Sequence, residues 1–273
     1  MKRLFRVAVG DPLGIELFLA ARLAVEISKA REWLERGSIE VNGHRTGGNI
    51  KLSIGDQIRL CDAFANADAT PYAVVYQDDD LLITNKPAGL LSQPSPAEKH
   101  SLEVLVQREH STARLMHRLD RGASGLVLFA LRPKAYAKVQ VALVAGSFER
   151  LYRAVVLGLL VAPVEIRLRI ARDRRDVRRR MALPEQAPGG QSACTRVRPL
   201  GSHDDKTTIE VALETGRTHQ IRVHLAALGH PLLGDTLYGG PPAQRLMLQA
   251  FKLILPHPTT GQRIEFVAPP EFE

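Results

Sequence analysis

The chain has 273 residues, 45% hydrophobic and 24% charged, with a net charge of +8 from 37 lysines and arginines against 29 acidic residues. That length accommodates one sizeable core, or a large and a small domain, and the composition is ordinary for a soluble globular protein. No stretch approaches the ~18 consecutive apolar residues of a membrane-spanning helix, so no membrane partner is expected.

At the start of the chain, the apolar run in MKRLFRVAVGDP ends at Asp11-Pro12 and is too short for a secretory leader. The first sixty residues then read as a small module. Gly14–Ala24 is apolar on most faces and predicts a helix. Ser28 is placed to cap a second helix, KAREWLERG, which Gly37 stops. Ser38–Val41 predicts a short strand, Asn42-Gly43 a tight hairpin turn and Asp56–Leu60 a last, alternating strand. Elements this short bury only a small core, so the expected use of the module is surface recognition.

Residues 62–71 (DAFANADATP) are small, polar and alanine-rich and read as a linker. The rest, residues 72–273, reads as one β-rich domain. Leu81–Thr84, Leu126–Ala130, Leu151–Gly158, Glu165–Ile170 and Thr207–Leu213 predict strands by alternation or short apolar runs. Pro133–Ala145 and His219–Leu228 predict helices, the second with an Ile221, Leu225, Leu228 stripe stopped by Gly229. Strands mixed irregularly with helices predict an α+β fold with a mixed, largely antiparallel sheet. The two cysteines, Cys61 and Cys194, have no nearby histidine pair and form neither a disulfide framework nor a zinc pattern. Two small buried residues in a reducing cytoplasm are the expectation, and a cytoplasmic, monomeric protein with it.

The positive charge is concentrated. Between Leu151 and Leu200 there are 11 arginines against 4 acidic residues, and eight of those arginines fall between Arg167 and Arg180. Arginine without lysine suits phosphate, because guanidinium groups make forked contacts with its oxygens, and Arg178, Arg179 and Arg180 are candidate nucleic-acid contacts. A solvated, partly mobile arm is the plain alternative.

Three segments have the residue types of a reaction site. In His117-Arg118-Leu119-Asp120, an aspartate precedes small residues and a strand, which would let the backbone pass close to a ligand and put the carboxylate at a cleft mouth. In Leu151–Val156, Tyr152 opens a strand, where it could stack on a base or simply pack. In Glu214–His224, Arg217 lies in a turn at a helix start, a place for phosphate, and Arg222 is embedded between Ile221 and Val223. An embedded guanidinium needs a carboxylate, and Asp120 is the candidate. Rival chemistries fit less well. His219 and His224 are five apart rather than the four that puts two ligands on one helical face. Ser124 has Gly122 two residues before it but Leu126 two after, which breaks the nucleophile-elbow pattern.

Two resemblances follow from these segments. SKAREWLERGSIEVNGHRTGGNIKLSIGDQIRL (Ser28–Leu60) resembles the RNA-binding domain of ribosomal small-subunit protein four, which implies RNA contacts by Lys29, Arg31, Arg36 and Arg45. HRLDRGASGLVLFA, LYRAVVLG and ETGRTHQIRVHLAALGHPLLGDTLYGG resemble, in order, three motifs of the RluA-like pseudouridine synthases. TNKPAGLLSQP and HPTTGQRIEFVAP fall in the matching order, so this second resemblance spans residues 71–269. It departs from the family at Ala123, where threonine is usual, and at Gln249, where histidine is common.

The second resemblance implies an isomerase that turns uridine into pseudouridine in structured RNA, ribosomal RNA first and transfer RNA as the other substrate. It implies that Asp120 attacks the flipped uridine or removes a proton from it, that Arg118 takes the place of the extruded base, that Tyr152 stacks beneath the uracil and that Arg222 orients Asp120. Such a reaction changes no redox state and needs neither metal nor cofactor. The alternative from another class is a non-catalytic RNA-binding or ribosome-assembly factor on the same scaffold.

Overall fold

The structure, a computed structural model, describes residues 3–35, 38–46, 50–60, 72–96 and 98–272. Arg36, Gly37, Cys61 and the stretch read as a linker, residues 62–71, lie outside the described residues. By its contacts the chain forms two compact units: Met1–Tyr72 with Leu91–Ser111, and Ala73–Leu90 with Thr112–Glu273.

In the first unit, β1 (Arg3–Arg6), α1 (Ile15–Leu23), α2 (Ile27–Glu35), β2 (Ile39–Val41), β3 (His44–Thr46) and β4 (Gln57–Leu60) follow in order. The strands form a sheet in the order β1-β4-β2-β3. Asn42 and Gly43 both take positive φ, 52° and 79°, as a two-residue hairpin turn requires. Phe18 and Leu19 of α1, Ala30 and Leu34 of α2, Ile39 and Ile58 make the buried core. Strand β1 has no counterpart in the sequence reading. Ser28 does not cap α2; it is the helix's second residue. Further along, α3 (Leu102–Glu109) starts at Ser101, whose Oγ accepts the Val104 N–H at 3.4 Å.

The second unit is built on one eleven-stranded sheet. Its elements in chain order are β5 (Ala73–Gln77), β6 (Leu81–Lys86), β7 (Arg114–Leu115), β8 (Ser124–Ala130), α4 (Pro133–Val144), β9 (Glu149–Leu157), β10 (Val164–Arg172), β11 (Arg180–Leu183), β12 (Gln191–His203), β13 (Lys206–Leu213), α5 (Gln220–Ala227), β14 (Leu248–Pro256) and β15 (Arg263–Val267). The order is β11-β10-β12-β13-β9-β14-β8-β6-β5, with β15 on β14 and β7 on β8. Every pairing is antiparallel except β8 with β14. The mixed, largely antiparallel sheet expected from the sequence is therefore the fold. Arg167–Arg180, for which a solvated, partly mobile arm was the plain alternative, runs from within β10 through a turn to the start of β11, with seven β10 residues paired to β12 and four to β11.

Strand β8, SGLVLFA, is buried at every residue, as befits a strand with β6 and β14 on its two sides and α4 against it. Leu126 and Leu128 pack with Leu81, Ile83, Leu253 and Leu255, and with Ala135 and Val139 of α4. Each such leucine or isoleucine contributes about 1.5–3 kcal/mol by leaving water. No helix among the described residues is long and apolar enough to cross a membrane.

Candidate active site

Three short segments meet over β14, a strand absent from the sequence reading. Ala250 pairs with Gly125 of β8 on one side and with Tyr152 of β9 on the other. That double pairing brings the loop before β8, which carries Asp120, beside the strand that carries Tyr152. Gly125 has φ 111°, and a Cβ on it would lie 2.2 Å from the Ala250 carbonyl oxygen. Small residues after Asp120 were expected to let the backbone approach a ligand. At Gly125 the close neighbour is instead the chain's own strand β14.

The loop between Asp120 and β8 is braced from below. Lys86, fully buried, donates through Nζ to the carbonyls of Ala123 at 2.6 Å, Leu90 at 2.8 Å and Pro87 at 2.9 Å. Burial pulls its ammonium down to about 7, against the pull of Asp120. His117, the first residue of HRLD, is buried, and its Nε2 accepts the Leu128 N–H at 3.2 Å. Burial, and then Arg150, push that ring down to about 3, so it stays neutral and can accept.

Asp120, Tyr152, Arg118 and Arg217 line one cavity of about 460 Å³, within the usual size range of ligand pockets. Tyr152 is 5% exposed and burial raises its phenol. Arg118 and Arg217 are exposed. Arg222 Nη1 donates to Asp120 Oδ2 at 3.3 Å, the pairing that the sequence called for. Its closer partner is Asp235, which takes Nε at 2.7 Å and Nη2 at 2.8 Å in a forked contact. Asp235 keeps 1% of its side-chain surface and Arg222 keeps 11%. Arg222 is thus anchored by one carboxylate and offers its remaining edge to another.

The turn before α5 is held by Gln220, which is buried. Its Oε1 accepts the Arg217 N–H at 3.0 Å and the Thr215 hydroxyl at 2.8 Å, and its Nε2 donates to the Cys194 carbonyl at 2.9 Å. The Arg217 amide is therefore used inside the protein, and only the side chain of Arg217 extends outward, with Nε on the Ser192 carbonyl at 3.2 Å. Of the hairpin arginines, Arg178 is paired with Asp176 at 2.7 Å, Arg179 lies 5.4 Å from the Tyr238 ring centroid, and the Arg180 guanidinium donates to the Arg179 carbonyl at 2.9 Å. In the first unit, Arg31 is paired with Glu16 at 3.0 Å, Lys29 is half-buried on α2, and Arg45 stands on β3. Cys194 is buried and unbridged, and burial, with Glu214 beside it, pushes its thiol up to about 11, which leaves it a poor nucleophile.

Asp235, Tyr238, His219 and Lys86 belong to this neighbourhood and had no role in the sequence reading. Asp235 and Tyr238 lie inside the LLGDTLYGG stretch, but an aspartate after glycine reads as a turn residue until its partner is known.

The family described as RNA pseudouridylate synthase matches residues 80–227. The chain belongs to the RNA pseudouridylate synthase family. It is 35% identical to an uncharacterized RNA pseudouridine synthase of Bacillus subtilis, over 93% of this chain and 89% of that protein. It is 34% identical to the ribosomal large subunit pseudouridine synthase D of Vibrio cholerae, over 91% of this chain and 85% of that one. Among solved structures, human RNA pseudouridylate synthase domain containing 1 matches with a TM-score of 0.63 at 26% identity, covering 74% of this chain and 84% of that one. The activity is that of an RNA pseudouridine synthase, an isomerase, and a non-catalytic factor on the same scaffold is not favoured.

Proposed function

We propose that this synthase isomerises uridines of ribosomal RNA, with Asp120 as the reacting carboxylate. The observation that carries the site assignment is the contact of Asp120 with the anchored Arg222 in the same cavity that Tyr152 lines. The Vibrio cholerae relative, which bears the large ribosomal subunit in its name, supports the choice of RNA.

In this reading the target uridine leaves its stack, at a cost of roughly a few kcal/mol, and enters the cavity. Arg118, exposed at the cavity, fills the vacated place in the RNA. Tyr152 supports the uracil face. Asp120 then acts on the nucleotide, as nucleophile or as base, while the bond from the sugar to nitrogen breaks. The uracil turns and is rejoined through carbon; that carbon gives up its proton and the freed nitrogen gains one, so the atoms balance without a cofactor. Arg222 keeps the carboxylate aimed throughout.

Phosphate contacts are assigned to Arg217, to Arg178, Arg179 and Arg180 on the hairpin, and to Lys29, Arg31, Arg36 and Arg45 in the N-terminal module. That module, residues 1–61, is read as an RNA-binding domain similar to that of ribosomal small-subunit protein four. Its two helices followed by a hairpin support the reading, and residues 62–71 and 72–273 serve as linker and catalytic domain. The protein acts as a cytoplasmic monomer.

Pseudouridine mapping of total RNA from cells that carry either the unaltered gene or Asp120→Asn tests both parts. Sites present only with the unaltered gene and lying in ribosomal RNA are expected, while the purified variant still binds RNA. Retained modification by Asp120→Asn would remove the assignment of Asp120, and sites confined to transfer RNA would remove the ribosomal target.

A further inference from the structure

Asp120 has two oxygens, and Arg222 accounts for one. The other, Oδ1, faces His219 Nε2 at 4.0 Å. His219 stands at the residue before α5 with φ 58°, the left-handed region that few side chains other than glycine adopt. Gln220 and its four bonds hold the turn that keeps it there.

The far side of the ring is fixed as well. His219 Nδ1 lies 2.8 Å from the Tyr238 hydroxyl, and the two rings meet edge to face at 5.7 Å. The same hydroxyl accepts the Arg180 backbone N–H at 2.8 Å, at the first residue of β11. A phenol has one proton to give. With the Arg180 amide already donating to the oxygen, that proton is free to point at His219 Nδ1, which then accepts. That arrangement puts the ring's own proton on Nε2, the atom that faces Asp120. The opposite tautomer would leave the phenol proton without a partner here and set a bare nitrogen lone pair against a carboxylate. Burial lowers the His219 pKa while Asp120 opposes it, and Arg222, Arg180 and Asp235 also act on the ring, the two arginines against its protonation and Asp235 for it.

We propose that His219 is a positioning residue for Asp120: Tyr238 selects its Nε2-protonated tautomer, and that N–H, 4.0 Å from Oδ1 in the free protein, closes to a hydrogen bond when substrate binds, while Arg222 holds Oδ2. Closing that gap sets the carboxylate plane from two sides, over the uracil that Tyr152 supports. The inference rests on the reading of Asp120 as the reacting group.

The test uses the full-length protein. His219→Phe keeps a ring against Tyr238 but removes the N–H, and should lower kcat about 10- to 100-fold, the range carried by a hydrogen bond to a charged group, with KM for RNA little changed. His219→Gln returns an N–H near the Nε2 position and should recover most of that loss. Nitrogen NMR of the free protein at neutral pH should find the proton of His219 on Nε2, and Tyr238→Phe should release it to a mixture of tautomers. The inference is overturned if His219→Phe turns over normally, if His219→Gln is as slow as His219→Phe in a folded protein, or if the proton resides on Nδ1. Asp120→Asn separates this from the reading beneath it. Activity in that variant removes the assignment of Asp120, whereas an inactive Asp120→Asn beside a fully active His219→Phe removes only the role of His219.

Discussion

Arg222 keeps 11% of its side-chain surface and contacts two carboxylates, whereas Arg178, on the turn between β10 and β11, keeps 76% and contacts one. The charge is the same and the surroundings differ. Around Arg222 little water remains, so the attraction to Asp235 and Asp120 is less screened and the guanidinium is held in place. Around Arg178 solvent and salt screen the pairing, which holds it loosely and is worth at most about 1 kcal/mol. Burial turns a charge into geometry, and exposure leaves it as a field that a phosphate chain can feel at a distance.

The largest test of that contrast is Asp235→Ala. It leaves Arg222 buried with the 3.3 Å contact to Asp120 as its one remaining carboxylate and the Tyr238 ring 4.9 Å away, and breaking a buried ion pair costs about 3–5 kcal/mol. Urea denaturation should show the loss, and turnover should fall because Arg222 is released from its anchor. The double variant Arg222→Met, Asp235→Leu should recover much of the stability and none of the activity. Equal stability of Asp235→Ala and the parent would mean that the forked contact is not what anchors Arg222.

A smaller effect extends the comparison to histidine. His117 has its pKa pushed down to about 3 by burial, from an unfolded value near 6.5. Below about pH 6.5 the unfolded chain takes up a proton that the folded one refuses, so stability falls as pH drops from there towards 3. The depressed group contributes stability above the unfolded pKa, and the sign cannot reverse. His117→Gln should flatten this acid-side slope, read as the urea midpoint at pH 7 and at pH 4.5. A variant with the parent's slope would place the acid sensitivity elsewhere, with His224, lowered to about 4 by burial, next in line.

The smallest effects lie on the hairpin. Replacing Arg178, Arg179 and Arg180 with serine should weaken RNA binding and flatten its salt dependence. Because Asp176 takes the guanidinium of Arg178 at 2.7 Å, Asp176→Asn should do the reverse, strengthening binding and steepening the salt slope by about one contact or less. An unchanged slope in the serine variant would mean that these arginines do not touch phosphate.

The fold class was legible because its signals are local. Apolar runs such as Leu126–Ala130, the Asn42-Gly43 turn and the spacing of α4 and α5 each depend on neighbours in the chain. Two of the strands missed lack so plain a signal, whereas β5, AVVYQ, and β15, RIEFV, carry an apolar run and an alternation and were missed all the same. Strand β14, LQAFKLILP, is interrupted by Lys252 and ends in proline, and β12 is thirteen residues long with a glycine and a proline inside it.

For the site, the amino-acid sequence by itself supplied the residue types: an aspartate before a strand, a tyrosine opening another, an embedded arginine that required a carboxylate, and basic charge gathered between Arg167 and Arg180. Only the tertiary structure decided which carboxylate anchors Arg222 and which imidazole nitrogen faces Asp120. Both depend on residues far apart in the chain, Asp235 with Arg222 and Arg180 with Tyr238 and His219, and on Ala250 pairing at once with Gly125 and Tyr152. A motif specifies residue types along a chain, whereas a charge is answered, and a proton placed, only by the atoms that end up within about 3 Å of it.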